Sequence, residues 1–341
     1  MNQVNKLAPI VLFAYKRPVH VLKTLESLMS CELASQSELY IYSDGPRKNA
    51  TDAEINQIHE VRKVLRQKQW CRNVHVVEAE KNKGLAQSIV EGVTETVNRF
   101  DKVIVIEDDL IFSPFFLRFM NEALTFYENH EKVMHITAHS FPLNEISSLS
   151  NRIKDDTYFL TYVCPTGWAT WKNRWQHFEN DANILLKKLH AKHGFNQEEY
   201  NCGYGSEFYK QLVANAEEKL SSWAVKWHTV IYLMSGLSLF PAKSLIDNTG
   251  FDSSGENSGA FPLYYSKVNT KKKPEIASIP IEINKKTLSA FIKYYNNYFL
   301  VRRIKIPLLK IIYGKIIRLP YFGKLIQLLY GRFQSIFVGK K

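Results

Sequence analysis

A chain of 341 residues, 45% hydrophobic and 23% charged, has the size and composition of one large folded domain with additions, or of two domains. Its formal charge of +12 is local: residues 283–341 hold 13 Lys and Arg and no Asp or Glu, leaving 32 basic against 33 acidic residues elsewhere, so the main body lacks the basic excess of a nucleic-acid binder. Four widely spaced cysteines without a CxxC pair argue against a structural zinc site and a disulfide framework. The polar residues 1–9 predict no secretory leader, and no uncharged run is long enough to predict a membrane-crossing helix.

The apolar run at residues 9–15 predicts a buried strand, which meets the basic turn Lys16-Arg17-Pro18. Val19, Leu22, Leu25, Leu28 and Met29 follow at helical spacing. Leu39-Tyr-Ile-Tyr42 reads as a second strand ending in the turn Ser43-Asp44-Gly45-Pro46, and a polar helix follows from Asp52 to about Gln69. A third strand at residues 74–78 leads to the turn Asn82-Lys83-Gly84 and to a helix with Leu85, Ile89, Val93 and Val97 on one face. Val103-Ile-Val-Ile106 is a continuous apolar run, the pattern of a strand buried on both faces, and it runs straight into Glu107, Asp108 and Asp109. Three adjacent carboxylates at a strand end repel one another and call for a compensating positive charge, of which a divalent cation is the usual form. Ser113-Pro114 then supplies a helix start. Strand–helix alternation over residues 9–128 predicts an α/β fold with a doubly wound, mostly parallel sheet, and ligands at its carboxyl edge.

Residues 133–138 have the pattern of a further strand, and residues 142–157 read as a loop. The segment 158–175 holds three Trp and two Tyr. Such density serves either a second hydrophobic cluster or a platform on which sugar rings stack, with Trp168 and Trp171 as the platform residues. Helices are expected over 207–220 and 223–234, short strands at 237–240 and 244–246, and a mobile Gly/Ser/Asn-rich loop at 247–259. Lys271-Lys-Lys-Pro274 suggests a boundary. Beyond it the acid-free tail alternates basic and apolar stripes, as do amphipathic helices lying on an anionic membrane surface or packed on a partner.

Taken in order, Arg17 after the first strand, Ser43-Asp44-Gly45 after the second, Lys83-Gly84-Leu85 opening a helix, Val105-Ile-Glu-Asp-Asp-Leu-Ile111 and Gly167-Trp168 resemble the GT-A glycosyltransferases. The likeness is greatest to family-2-like and N-acetylglucosaminyltransferase I-like members with a Glu-Asp-Asp form of the Asp-X-Asp motif, and it covers roughly residues 9–258. The resemblance implies a GT-A-like domain over 1–282, with a nucleotide-sugar half at about 9–128 and an acceptor half at about 129–270, followed by the membrane-associating tail 283–341. It implies nucleotide-sugar contacts by Arg17, Asp44, Lys83 and Gly84, with Asp44 at the base. Asp109 would bind Mn2+ or Mg2+, Asp108 would reach ribose or sugar, and Glu107 would support them.

Two departures bear on the chemistry. Inverting members are expected to carry a catalytic carboxylate just before the tryptophan that is Trp223 here, but the chain reads Ser221-Ser222-Trp223, leaving Glu207 and Asp252 as candidate bases. Where related sequences place a histidine at the end of the Gly-rich loop, this chain has Gly255-Glu256-Asn257-Ser258. The expected activity is metal-dependent transfer from a nucleotide-sugar, a UDP-sugar by preference, to a membrane-linked glycan or lipid acceptor at the cytoplasmic face, in surface polysaccharide synthesis. A catalytically weak sugar-nucleotide scaffold and a nucleotidyltransferase are the alternatives. The latter would need a Gly-containing phosphate loop that Phe13-Ala-Tyr-Lys-Arg-Pro18 lacks.

Overall fold

The computed structural model describes residues 6–143, 155–203, 207–250 and 268–300. In chain order these form β1 (Ile10–Ala14), α1 (Pro18–Met29), β2 (Glu38–Ser43), α2 (Asp52–Leu65), β3 (Asn73–Glu78), α3 (Leu85–Phe100), β4 (Lys102–Glu107), β5 (Leu110–Phe112), α4 (Phe116–Phe126), β6 (Val133–Thr137), β7 (Thr157–Leu160), β8 (Trp168–Trp171), α5 (Lys172–Trp175), α6 (Ala182–Ala191), α7 (Gln197–Tyr200), α8 (Phe208–Ala216), α9 (Trp223–Leu233), β9 (Leu237–Pro241), β10 (Ile246–Asn248) and α10 (Lys285–Leu300).

Eight strands make one sheet in the order β3-β2-β1-β4-β8-β6-β9-β7. The first four are parallel, with Ile10 of β1 opposite both Leu39 of β2 and Ile104 of β4. Every residue of β1 is buried, and alternation sends Ile10, Leu12 and Ala14 into one core and Val11 and Phe13 into the other. Local signals close several elements, although α4 begins at Phe116, two residues beyond the Ser113-Pro114 start. Pro18 sits in the first turn of α1. Thr51 and Glu54 form a reciprocal capping box on α2. Gly84 takes a positive φ of 79° to start α3. From edge strand β3, α3 carries the chain back to β4 on the other side of β1. That reversal of strand order opens a crevice at the carboxyl ends of β1 and β4. Gly92 lets α3 lie close to the sheet, because a Cβ there would stand 2.9 Å from the Phe13 ring.

The second half departs from a wholly parallel winding. β8 inserts between β4 and β6, antiparallel to both, while β6–β9 is parallel and β9–β7 antiparallel. The platform expected of Trp168 and Trp171 is therefore corrected. Both lie on an interior strand, point to opposite faces of the sheet and are only 1% and 2% exposed. Trp168 stacks between His135 (ring centroids 5.3 Å) and Trp223 (4.7 Å). Trp171 donates its indole N–H to the Leu124 carbonyl at 3.0 Å under the Arg174 guanidinium.

Nor is Lys271-Lys-Lys-Pro274 a detached linker. Asn269 bonds to Ser244 and Ser113, Lys273 pairs with Glu122 at 2.8 Å, and the Glu275 N–H donates to Asp156 at 3.0 Å. Ile276, Ile279, Ile281 and Ile283 then pack on the core. The segment leads into α10, whose Ala290, Phe291 and Tyr295 are buried. Phe291 meets Phe141 at 4.8 Å, and the Tyr295 and Tyr162 hydroxyls hydrogen-bond at 3.1 Å. The first helix of the basic segment is thus part of the body. Residues 301–341, like most of the loop expected at 247–259, lie outside the described residues. Among the described residues, no helix is long and apolar enough to cross a membrane.

Candidate active site

The crevice widens into a cavity of 690 Å³. It is lined by the β1–α1 junction and the β4–β5 turn together with His139, Phe141, Tyr162, Thr166, Gln211 and the start of α9. The acidic turn is fixed from below by α1. The Thr24 hydroxyl donates to the Asp108 carbonyl at 2.9 Å and accepts from the Leu110 N–H at 3.0 Å, and Ser27 accepts from the Phe112 N–H at 2.7 Å. It is fixed from above by the antiparallel β5–β10 ribbon, beyond which the Thr249 N–H and hydroxyl both donate to the Asp109 carbonyl, at 2.8 and 3.0 Å.

Arg17, the residue before α1, reaches across this turn. One guanidinium nitrogen, Nη2, donates to Asp108 Oδ1 and, at 3.0 Å, to Asp109 Oδ2. Asp109 Oδ1 accepts from Asn248 Nδ2 at 3.3 Å. Burial alone would lower the Arg17 pKa, but attraction to Asp108 and Asp109 outweighs it and holds the guanidinium charged. Burial and the two aspartates push Glu107 up to about 8 against the opposing pull of Arg17, and burial raises Asp108. The other terminal Arg17 nitrogen, Nη1, and the Tyr15 hydroxyl are buried without a hydrogen-bond partner among the described residues. Both residues line the cavity, so two polar groups there are left for a ligand to satisfy.

Asp44, Gly84, Arg17, Glu107, Asp108 and Asp109 all line the cavity, so the structure gathers these six sequence-predicted residues in one place. Asp44 is occupied, however. Its Oδ1 accepts from the Gly45 and Lys83 N–H groups at 2.8 and 2.9 Å. Its Oδ2 accepts from Asn82 Nδ2 and the Gly84 N–H at 2.9 and 3.0 Å. Four donors use the acceptor capacity of one carboxylate, so Asp44 holds the turn that opens α3. Three expectations need correction. The Lys83 side chain is turned away and pairs with Glu91 at 2.7 Å on the exposed face of α3. Glu207 sits just before α8 without a side-chain capping bond, pairs with Lys210 at 3.0 Å and is not among the cavity-lining residues. Trp168 and Trp171 belong to the core. Asp252 and Asn257 lie outside the described residues. Ser221, Ser222 and Trp223 do line the cavity, with the Ser222 N–H held by Asn215 at 2.9 Å.

Sequence reasoning missed Tyr15, Arg47, His139, Gln211 and Asn248, all of which line the cavity. Tyr15 was visible beside Arg17 at a strand end. His139 follows a strand whose place in the sheet only long-range pairing reveals. Burial pushes its imidazole down to about 4, so the ring is neutral at pH 7.

The donor set of the acidic turn is hard oxygen, and the Asp108 and Asp109 carboxylates share one guanidinium nitrogen, so its chemistry suits Mg2+ or Mn2+. Among the described residues no three His, Cys, Asp or Glu side chains surround a common point. A cation at Asp109 would therefore complete its shell with ligand oxygens.

The fold and site define an α/β protein with an arginine-clamped acidic turn at the switch point of its sheet. No family model and no curated protein matches the sequence. Among solved structures the chain is similar to S. aureus TarS, at 12% identity over 72% of this chain and 37% of that one, with a TM-score of 0.38. It is similar to the mannosyltransferase PcManGT from Pyrobaculum calidifontis, solved with GDP-Man and Mn2+, at 10% identity over 68% and 70% of the two chains, with a TM-score of 0.36. A third similarity is to the galactosyltransferase LgtC, solved with donor and acceptor sugar analogues, at 8% identity over 65% and 70%, with a TM-score of 0.33. The chain thus spans little more than a third of TarS, and its class rests on its own sheet and site.

Proposed function

We propose that this protein is a nucleotide-sugar-dependent glycosyltransferase of GT-A-like fold. The observation that carries the reading is the acidic turn Glu107-Asp108-Asp109, held with Arg17 in a cavity at the carboxyl ends of β1 and β4. A cavity of 690 Å³ is of the size that takes a small-molecule ligand. Transfer from a nucleoside diphosphate sugar leaves negative charge on the diphosphate. Asp109 would hold Mn2+ or Mg2+, which when bound supplies positive charge to that leaving group. Arg17 supplies fixed positive charge beside it, Tyr15 and Arg47 line the donor side, and Asp108 faces ribose or sugar. His139, Gln211, Ser221 and Ser222 line the acceptor side. With Glu207 paired to Lys210, Asp252 is the remaining candidate base for an inverting transfer.

The favoured donor is a UDP-sugar. The acceptor is a membrane-linked glycan or lipid of surface polysaccharide synthesis, reached by peripheral docking at the cytoplasmic face through the acid-free basic residues beyond α10. Turnover of UDP-, GDP- and CMP-sugars with Mn2+ tests the activity. Asp109→Asn is expected to lose at least a hundredfold in rate, and equal rates in variant and wild type would remove the metal assignment. For the tail, replacing Arg302, Arg303, Lys305, Lys310 and Lys315 with Gln in the full chain should abolish flotation with phosphatidylglycerol vesicles. Unchanged flotation would count against the membrane.

A second reading is a sugar-nucleotide-binding scaffold with weak catalysis, and the hydroxyls of Ser221 and Ser222 at the cavity wall favour it. Nucleotide-sugar binding without transfer to any membrane extract would decide for it.

A further inference from the structure

We infer that Arg17 is a resident stand-in for the divalent cation, so that the metal binds together with the diphosphate and not before it. This rests on the reading of the cavity as a metal–diphosphate site. Arg17 Nη2 donates to both Asp108 Oδ1 and Asp109 Oδ2, so the positive charge the acidic turn requires is already in place within the chain. A cation approaching Asp109 alone must take an oxygen from that guanidinium and leave it beside a second positive charge in a partly buried site, where like-charge repulsion is weakly screened. There is little room for both. A Cβ placed on Gly250 would lie 2.1 Å from Asp109 Oδ2 and 3.1 Å from Arg17 Nη1, so the backbone already closes over the pair. Nη1 meanwhile is buried without an acceptor among the described residues. A diphosphate changes the balance twice over. It offers the guanidinium oxygens for the parallel bonds that arginine makes best, and it neutralises the charge the cation brings. Metal and diphosphate should therefore bind with positive coupling, which is reciprocal.

The test is titration of the full-length protein with Mn2+, read by the electron paramagnetic resonance signal of the free ion, with and without UDP. Wild type is expected to bind Mn2+ at least tenfold more tightly with UDP than without. Arg17→Gln is expected to bind Mn2+ alone at least tenfold more tightly than wild type and to show a smaller UDP enhancement. Arg17→Lys, which keeps the charge on a shorter side chain without the planar fork, should fall between. Mn2+ affinity in Arg17→Gln equal to or below that of wild type overturns the inference. If that variant folds poorly, melting curves decide the same point: Mn2+ should raise its melting temperature more than that of wild type, and an equal or smaller rise overturns the inference. The two readings can fail separately. UDP-linked Mn2+ binding by wild type without a gain in Arg17→Gln removes only the stand-in role. A gain in Arg17→Gln with no effect of UDP on wild type removes the diphosphate site.

Discussion

Gly250 and Glu107 show how much of the site is decided by single groups. A Cβ on Gly250 would overlap Asp109 Oδ2 at 2.1 Å. Gly250→Ala is therefore expected to split the Arg17–Asp109 contact, weaken nucleotide binding at least tenfold, and destabilise the fold by about 1–3 kcal/mol. Calorimetric titration and a melting curve of the same variant check both parts. Glu107 tests the electrostatics. Its folded pKa is raised from 4.5 to about 8, so between those values the native state binds a proton that the unfolded chain has released. Stability then falls as pH rises through that window and levels off above it. Glu107→Gln removes the titrating group, so without divalent cations its melting temperature should match wild type near pH 4.5 and exceed it by pH 8. A constant gap would mean that Glu107 is not held protonated. The triplet was legible because three acids after four buried residues is an abnormal pattern. The arginine that meets it was legible only by analogy of position, since about 90 residues separate them and the sheet alone brings them together.

At the scale of elements, the parallel half was legible because each piece carries its own period and punctuation. Continuous apolar runs gave β1, β2 and β4, helical spacing gave α1 and α3, and turn residues lay between. The role of a turn residue was less legible. Asp44 was read as a ligand contact, yet its carboxylate takes four donors and ties the turn at 82–84 to β2. Asp44→Ala should cost about 2–4 kcal/mol and free the start of α3, whereas Lys83→Ala, whose partner is exposed, should change stability by less than about 0.5 kcal/mol. Urea unfolding of the two variants separates them, and equal effects would contradict the assignment. The aromatic stretch at 158–175 shows the opposite limit. Composition announced a cluster, and only the insertion of β8 between β4 and β6 settled that Trp168 and Trp171 face cores. Trp168→Ala is accordingly expected to cost about 3–5 kcal/mol. A loss of acceptor binding at unchanged stability would restore the platform.

Across the whole molecule, charge and composition drew a boundary at 283 that packing does not respect. α10 sends Phe291 and Tyr295 against Phe141 and Tyr162, which line the cavity, so a helix of the basic segment backs the cavity wall. Phe291→Ala should cost about 3–5 kcal/mol and lower the unfolding midpoint of the entire domain. An unchanged midpoint would show the helix to be an appendage. Chain pattern alone was sufficient for the α/β class, the succession of the first four strands, the acidic turn and the lack of basic excess in the body. These depend on neighbours within a few residues, where burial and turn geometry leave a period or a motif. Folding in three dimensions decided the antiparallel entry of β8, the occupation of Asp44, the outward turn of Lys83 and the docking of α10. Each of these depends on which distant surface a residue meets, and a hydrophobic or charged side chain states that it needs a partner without stating which one.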